Sequence, residues 1–321
     1  MINLIIKTVQ FILINLFLYS VYLKMKKLVS IFLFCCLCIK SNACEVCGNG
    51  NTINAIGLLP QFAQSFMGLR YGKQTFNTTH PTGYGKETDQ FNQYEITARY
   101  AASNRFQIAV SFPYAVNQQV GTSNIQSSGL GDISLFLTHT TIPSKKLYQS
   151  NLYHALQFMI GLKMPSGQYK NDFSSSTYNE HLYPGTGSWD FIPALNYVIT
   201  YKKFGLNIDF NAKFNSSNKL TYKMGNQFSG SMRWFYNKSL SSVNCIPFIA
   251  LGFSKNNQDE FAINNVAYTG GEELNYQFGA DVKIKSYLIG FQYLKPLVQN
   301  WNDTYTIHDA KLNVRLLYFF K

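Results

Sequence analysis

Phe204-Gly205-Leu206-Asn207-Ile208-Asp209-Phe210-Asn211-Ala212-Lys213-Phe214 alternates residue by residue, with Phe204, Leu206, Ile208, Phe210, Ala212 and Phe214 on one face of an extended chain and Gly205, Asn207, Asp209, Asn211 and Lys213 on the other. Successive side chains of a strand point to opposite faces, so this is a strand with one apolar and one polar side. In a soluble sandwich the apolar side would meet a second layer. Here most of the chain repeats the pattern, and no amphipathic helix is left to cover it. An apolar face turned to lipid and a polar face turned to a wet interior describe a transmembrane barrel instead.

Composition supports that reading. Tyr, Phe and Trp make up 16% of the 321 residues and charged residues only 14%. This apolar content excludes disorder, and the abundance of Tyr, Phe, Asn, Gly and Ser disfavours helix bundles. The formal charge of +12 is partly local, since residues 1 to 43 hold five lysines and no acid, which leaves 23 basic against 16 acidic residues in the remainder. Those charges are spread through strands and loops. Nucleic-acid binding would need them gathered into a stripe or one helix face, and that partner is excluded.

Lys24, Lys26 and Lys27, the apolar run from Leu28 to Ile39 and the small residues Ser41-Asn42-Ala43 form a secretory signal, so residues 1 to 43 are an address, with Met25 the expected start of translation. Residues 44 to 64 then form an N-terminal periplasmic segment carrying Cys44-Glu45-Val46-Cys47-Gly48. Export to an oxidising compartment favours a local disulfide between Cys44 and Cys47, with soft-metal binding or thiol exchange as alternatives. Cys245, inside a strand, is a small apolar side chain.

From residue 65 to 321 the alternation predicts a barrel: an all-β, antiparallel, up-and-down transmembrane sheet of about 12 strands. They fall near 65 to 73, 92 to 101, 105 to 115, 129 to 140, 152 to 163, 188 to 201, 204 to 214, 226 to 236, 243 to 253, 274 to 284, 287 to 296 and 310 to 320. Most have the roughly 9 to 11 residues that a tilted strand needs to cross a bilayer. After residue 43 no apolar run reaches the roughly 18 residues of a spanning helix, so only a closed sheet can cross. Connections after odd strands are expected to be long, about 12 to 24 residues, and those after even strands short, which puts all long loops on one side as in outer-membrane barrels.

Charges fall on the polar phase. At mid-membrane an Arg or Lys facing lipid costs roughly 2 to 4 kcal/mol, so this phase is the lumen. It nominates Glu95, Arg99, Asp132, Lys163, Asp209, Lys213, Arg233, Asp281, Lys283 and Arg315 as lumen-lining residues. A hairpin centred near 147.5 sets Asp132 opposite Lys163, and that pair is expected to form a salt bridge. Inward Phe136, Met159 and Phe235 are candidates to narrow the bore. His139 and His154 fall on the lipid-facing phase near the short turns, whereas His80, His181 and His308 are placed in outer loops and solvated.

Four motifs together resemble one bacterial family. They are Cys44-Glu45-Val46-Cys47-Gly48; Pro60-Gln61-Phe62 with Phe66-Met67-Gly68-Leu69-Arg70-Tyr71; Gly129-Leu130-Gly131-Asp132-Ile133-Ser134-Leu135; and Gly161-Leu162-Lys163-Met164-Pro165-Ser166-Gly167. In order and spacing they are similar to the outer-membrane transporter family labelled for the MetA pathway of phenol degradation. That resemblance implies passive passage of small molecules, including hydrophobic or aromatic ones, and brings no catalytic residue.

The expected role is therefore a channel in the outer membrane of a Gram-negative cell, with membrane lipid and a small solute as partners and no cofactor. A structural or adhesive barrel is the alternative. A barrel enzyme ranks third, because no serine or carboxylate pair is spaced to complete a triad with His139 and His154.

Overall fold

The computed structural model describes residues 64–79, 85–121, 124–147, 151–169 and 180–320. The expected signal, the Cys44 and Cys47 pair and His80 lie outside them. Twelve strands form the wall: β1 (Ser65–Thr79), β2 (Lys86–Ala101), β3 (Phe106–Val120), β4 (Ser134–Lys146), β5 (Leu152–Lys163), β6 (Asp190–Tyr201), β7 (Phe204–Asn215), β8 (Gln227–Tyr236), β9 (Val243–Asn256), β10 (Gly271–Ile284), β11 (Tyr287–Trp301) and β12 (Thr306–Phe320). Each pairs antiparallel with the next, and β12 pairs with β1 from Phe320 opposite Ser65 to Thr306 opposite Thr78. The sheet is closed and has no edge to leave unpaired in lipid.

The alternation sorts the side chains. In β7, Asn207, Asp209, Asn211 and Lys213 are buried inside, while Phe210 and Phe214 are exposed outside. Ile249, facing outward from β9, is 64% exposed. With no water on the outer face in a membrane, this apolar belt is what lipid would cover.

Three expectations need correction. Several strands run beyond the bilayer-length stretch, because their polar Asn-, Gln- and Thr-rich ends still satisfy each other as ladders. β1 and β2 are joined only through residues 80 to 85, and β11 and β12 only through residues 302 to 305. Long connections remain at 121 to 133, 164 to 189, 216 to 226 and 257 to 270. Second, the strand expected over 129 to 140 is broken: Ile125–Leu130 extends the pairing with β3, residues 131 to 133 leave the ladder, and β4 begins at Ser134. Third, Ser134, not Asp132, stands opposite Lys163, because bulges between Thr140 and Ile142 and between Ile142 and Lys145 absorb residues near the turn.

Candidate functional site

The lumen begins with a row of charges at mid-height. Register places Glu95 of β2 opposite Arg70 of β1, Arg70 opposite Arg315 of β12, Arg315 opposite Gly290 of β11, and Gly290 opposite Asp281 of β10. Arg70 Nη2 donates to Glu95 Oε2 at 2.5 Å, and the Thr97 hydroxyl donates to Glu95 Oε1 at 2.8 Å. Arg315 reaches over β11 to donate to both oxygens of Asp281 at 2.7 Å. Gly290 makes that reach possible: a Cβ there would stand against Asp281 Oδ1 and 2.5 Å from Arg315 Nε. Across the bore, Asp209 accepts from Ser231, and the guanidinium of buried Arg233 sits 4.4 Å from the centre of the Phe248 ring.

Toward the long-loop mouth, Asp132 is a hub. Released from the ladder by the break at 131 to 133, it turns inward and accepts from Lys163 Nζ at 2.6 Å. It also accepts from the backbone amides of Gly167 and Thr186, each at 2.9 Å, and from the Thr186 hydroxyl. Burial alone would raise this carboxyl, but the Lys163 charge and these donors outweigh it and hold it below its usual range. Gly131, Gly167 and Gly185 pack backbone to backbone around it, with a Cβ on Gly167 falling 2.6 Å from the carbonyl carbon of Gly131. This gives Gly131 of the third motif and Gly167 of the fourth a packing role. Lys163 also lies 2.8 Å from Asp190 Oδ2, which Lys213 approaches to 3.3 Å.

Asp259, in the connection from β9 to β10, is the second hub. The Tyr222 hydroxyl and the Gly225 amide each donate to it at 2.6 Å, and His181 Nε2 lies 3.0 Å away. Here too burial would raise the carboxyl, and His181, Tyr222 and Gly225 together hold it below its usual range. Between the hubs runs a bridge over residues 180 to 188. Leu182 joins Phe76, Phe91 and Trp301 in one apolar cluster, and its carbonyl accepts from Asn117 Nδ2 at 2.9 Å. Asn218, from the connection after β7, donates to the Thr186 carbonyl. A segment that leaves β5 and enters β6 thus contacts β3, β1, β2 and β11, so it crosses the lumen.

Glu95, Arg99, Lys163, Asp209, Lys213, Arg233, Asp281 and Arg315 are buried on the inner face, with Asp132 beside them from its loop. Lys283 is half-buried there, its ammonium 4.8 Å from the Phe319 ring centre. Phe136 and Phe235 face inward but press against the wall over Gly161 and Gly205, so they pave it more than they obstruct it. His181 and His308 are corrected: both are buried, and His308 lies within β12, 2.7 Å from Glu273 and stacked on Phe76. His139 and His154 stay on the outer phase, His139 against the Phe106 ring and His154 within 3.2 Å of the Tyr197 hydroxyl. Arg70, Asp190, Glu273 and Lys311 were legible from phase alone. Asp259 was not, because nothing local marks a loop aspartate as a hub.

No family model matches the sequence, and no curated protein matches it. Among solved structures, an outer membrane channel from Pseudomonas putida is similar over 80% of this chain and 96% of its own, with a TM-score of 0.60 and 16% identity. The β domain of the Bordetella autotransporter BrkA aligns over 80% of this chain and all of its own with a TM-score of 0.46 and 10% identity. The fold is that of the outer-membrane β-barrels.

Proposed function

We propose that the protein is an outer-membrane channel for passive passage of small molecules, including hydrophobic or aromatic ones, in a Gram-negative cell. The observation that carries this reading is the sorting of the closed wall: an apolar belt outside for membrane lipid, and an inner face that carries the charges and amides a water-filled path needs, with apolar patches between them. A 12-stranded circumference is wider than the eight-stranded barrels that side chains alone fill. Similarity of four motifs to the transporter family of the MetA phenol-degradation pathway supports the same class of solute. The inner charges Glu95, Arg99, Asp209, Arg233, Asp281 and Arg315 would line the path.

One observation favours a second reading. The bridge over residues 180 to 188 crosses the lumen, as a plugged structural barrel would require. Planar-bilayer recording of the refolded protein separates the two: discrete conductance steps support the channel, and a correctly folded barrel that never conducts supports the plugged form.

A further inference from the structure

The short-turn mouth differs in charge from the rest of the molecule. Its turns and strand ends expose Arg105, Lys145, Lys146, Lys202, Lys203, Lys238 and Lys285, and among the described residues no Asp or Glu stands on this rim. Inside it, between β5, β6, β7 and β8, lies a cavity of about 210 Å³. Ala155, Val198 and Phe235 give it an apolar floor, Thr200 and Asn237 supply polar atoms, and Lys202 and Lys203 stand at its lip. Val198 and Phe235 continue into an apolar cluster with Ile246 and Phe248, so the floor is part of a larger apolar patch of the inner wall. Lys203 makes no ion pair among the described residues, and Lys202 rests only on the Tyr201 ring, 5.3 Å from its centre.

We infer that this cavity is a binding site for a small carboxylate with an apolar body, and that the cationic rim draws such anions to it. An apolar cavity of about 150 Å³ admits a benzene-sized group, so this one has room for a short aliphatic or single-ring body. Lysines on flexible stems at the lip can swing onto a carboxylate seated over the floor. A mouth lined by one sign of charge raises the local concentration of the opposite sign and makes association depend on ionic strength. The inference deepens the channel reading by naming the solute class, but binding itself does not require conduction.

The test uses the refolded protein in phosphatidylcholine nanodiscs, with hexanoate as probe and hexan-1-ol as its neutral counterpart. Lys202 has φ of 53°, so it is replaced by asparagine, which tolerates that left-handed backbone, in the double variant Lys202→Asn with Lys203→Gln. Hexanoate should bind at least tenfold more tightly than hexan-1-ol, weaken with added salt, and lose at least tenfold in the double variant, while hexan-1-ol changes little. Phe235→Ser, which removes the floor and keeps the lysines, should weaken both probes. Equal affinity for the two probes, or unchanged hexanoate binding in the double variant, overturns the inference. So does competition by phosphatidylglycerol, if anionic lipid displaces hexanoate in the parent and not in the variant, because the lysines then serve headgroups. Conduction without lysine-dependent binding would refute this site and leave the channel standing; lysine-dependent binding without conduction would do the reverse.

Discussion

At the long-loop mouth, Asp132 gathers donors from Lys163 and the connection after β5, Asp259 gathers them from that connection and the one after β7, and together they hold a bridge across the lumen. At the short-turn mouth no carboxylate is present among the described residues, exposed cations repel one another, and a cavity stays open. A carboxylate can accept from several donors at once, so one buried acid can tie together loops that lie far apart in sequence. Lysine is acceptor-less and strongly hydrated, so a ring of lysines organises nothing and leaves a mouth accessible. The two ends of one barrel thus teach how charge type, more than charge number, decides whether a mouth is tied or open.

The largest expected effect breaks the tied end. Asp259→Ala takes the acceptor from the buried Tyr222 hydroxyl and Gly225 amide and from His181, at a cost of about 2 to 5 kcal/mol to the bridge. Limited proteolysis between residues 164 and 189 should accelerate at least tenfold, while Lys203→Gln at the open end, an exposed turn position, shifts stability by less than about 0.5 kcal/mol. Equal protease sensitivity in the two variants would erase the contrast. Between the mouths, Gly290→Ala should destabilise the wall by about 1 to 3 kcal/mol, since its methyl group occupies the space through which Arg315 reaches Asp281. Urea unfolding from lipid vesicles reports it; a midpoint unchanged from the parent would show that the ion pair adapts.

Acid should loosen only the tied end. Asp259 has a folded pKa below its ordinary value of 3.8, so its contribution is fully present above 3.8 and is lost as pH falls through the lower, folded value. Bridge cleavage by an acid-stable protease should therefore rise as pH falls below about 4. In Asp259→Asn it should be raised at neutral pH and respond less to acid. The smallest effect is on selectivity. Lys163 faces two carboxylates, Asp132 and Asp190, so Lys163→Met should shift reversal potentials toward cations by more than Asp132→Asn shifts them toward anions. Shifts of equal size would mean that Asp190 is held by Lys213 alone.

Most of the wall was legible because lipid and lumen impose a period of two that Phe204 to Phe214 states openly. The ends of strands were not, since Asn- and Thr-rich extensions such as Gln74 to Thr79 carry no apolar face and read as loop. The meeting of Asp132 and Lys163 was anticipated from a register that proved wrong by two residues. The contact survives because the break at 131 to 133 frees Asp132 to turn inward. His308 could not be placed by phase, because a register shift between Ala310 and His308 puts Thr306 and His308 on the inner face out of step with Arg315. Nor could the bridge, because Leu182, Thr186 and Asp259 acquire their roles only from partners far apart in sequence.

The most direct test of the account is single-channel recording of the refolded protein beside a variant in which residues 180 to 188 are replaced by a short Gly-Ser linker. Both should insert as heat-modifiable barrels and show discrete steps, with a clearly larger conductance in the variant because the lumen loses its bridge. If both form barrels and neither conducts, the inner face is not a path and the channel reading is contradicted; if the two conduct equally, the bridge does not lie in it.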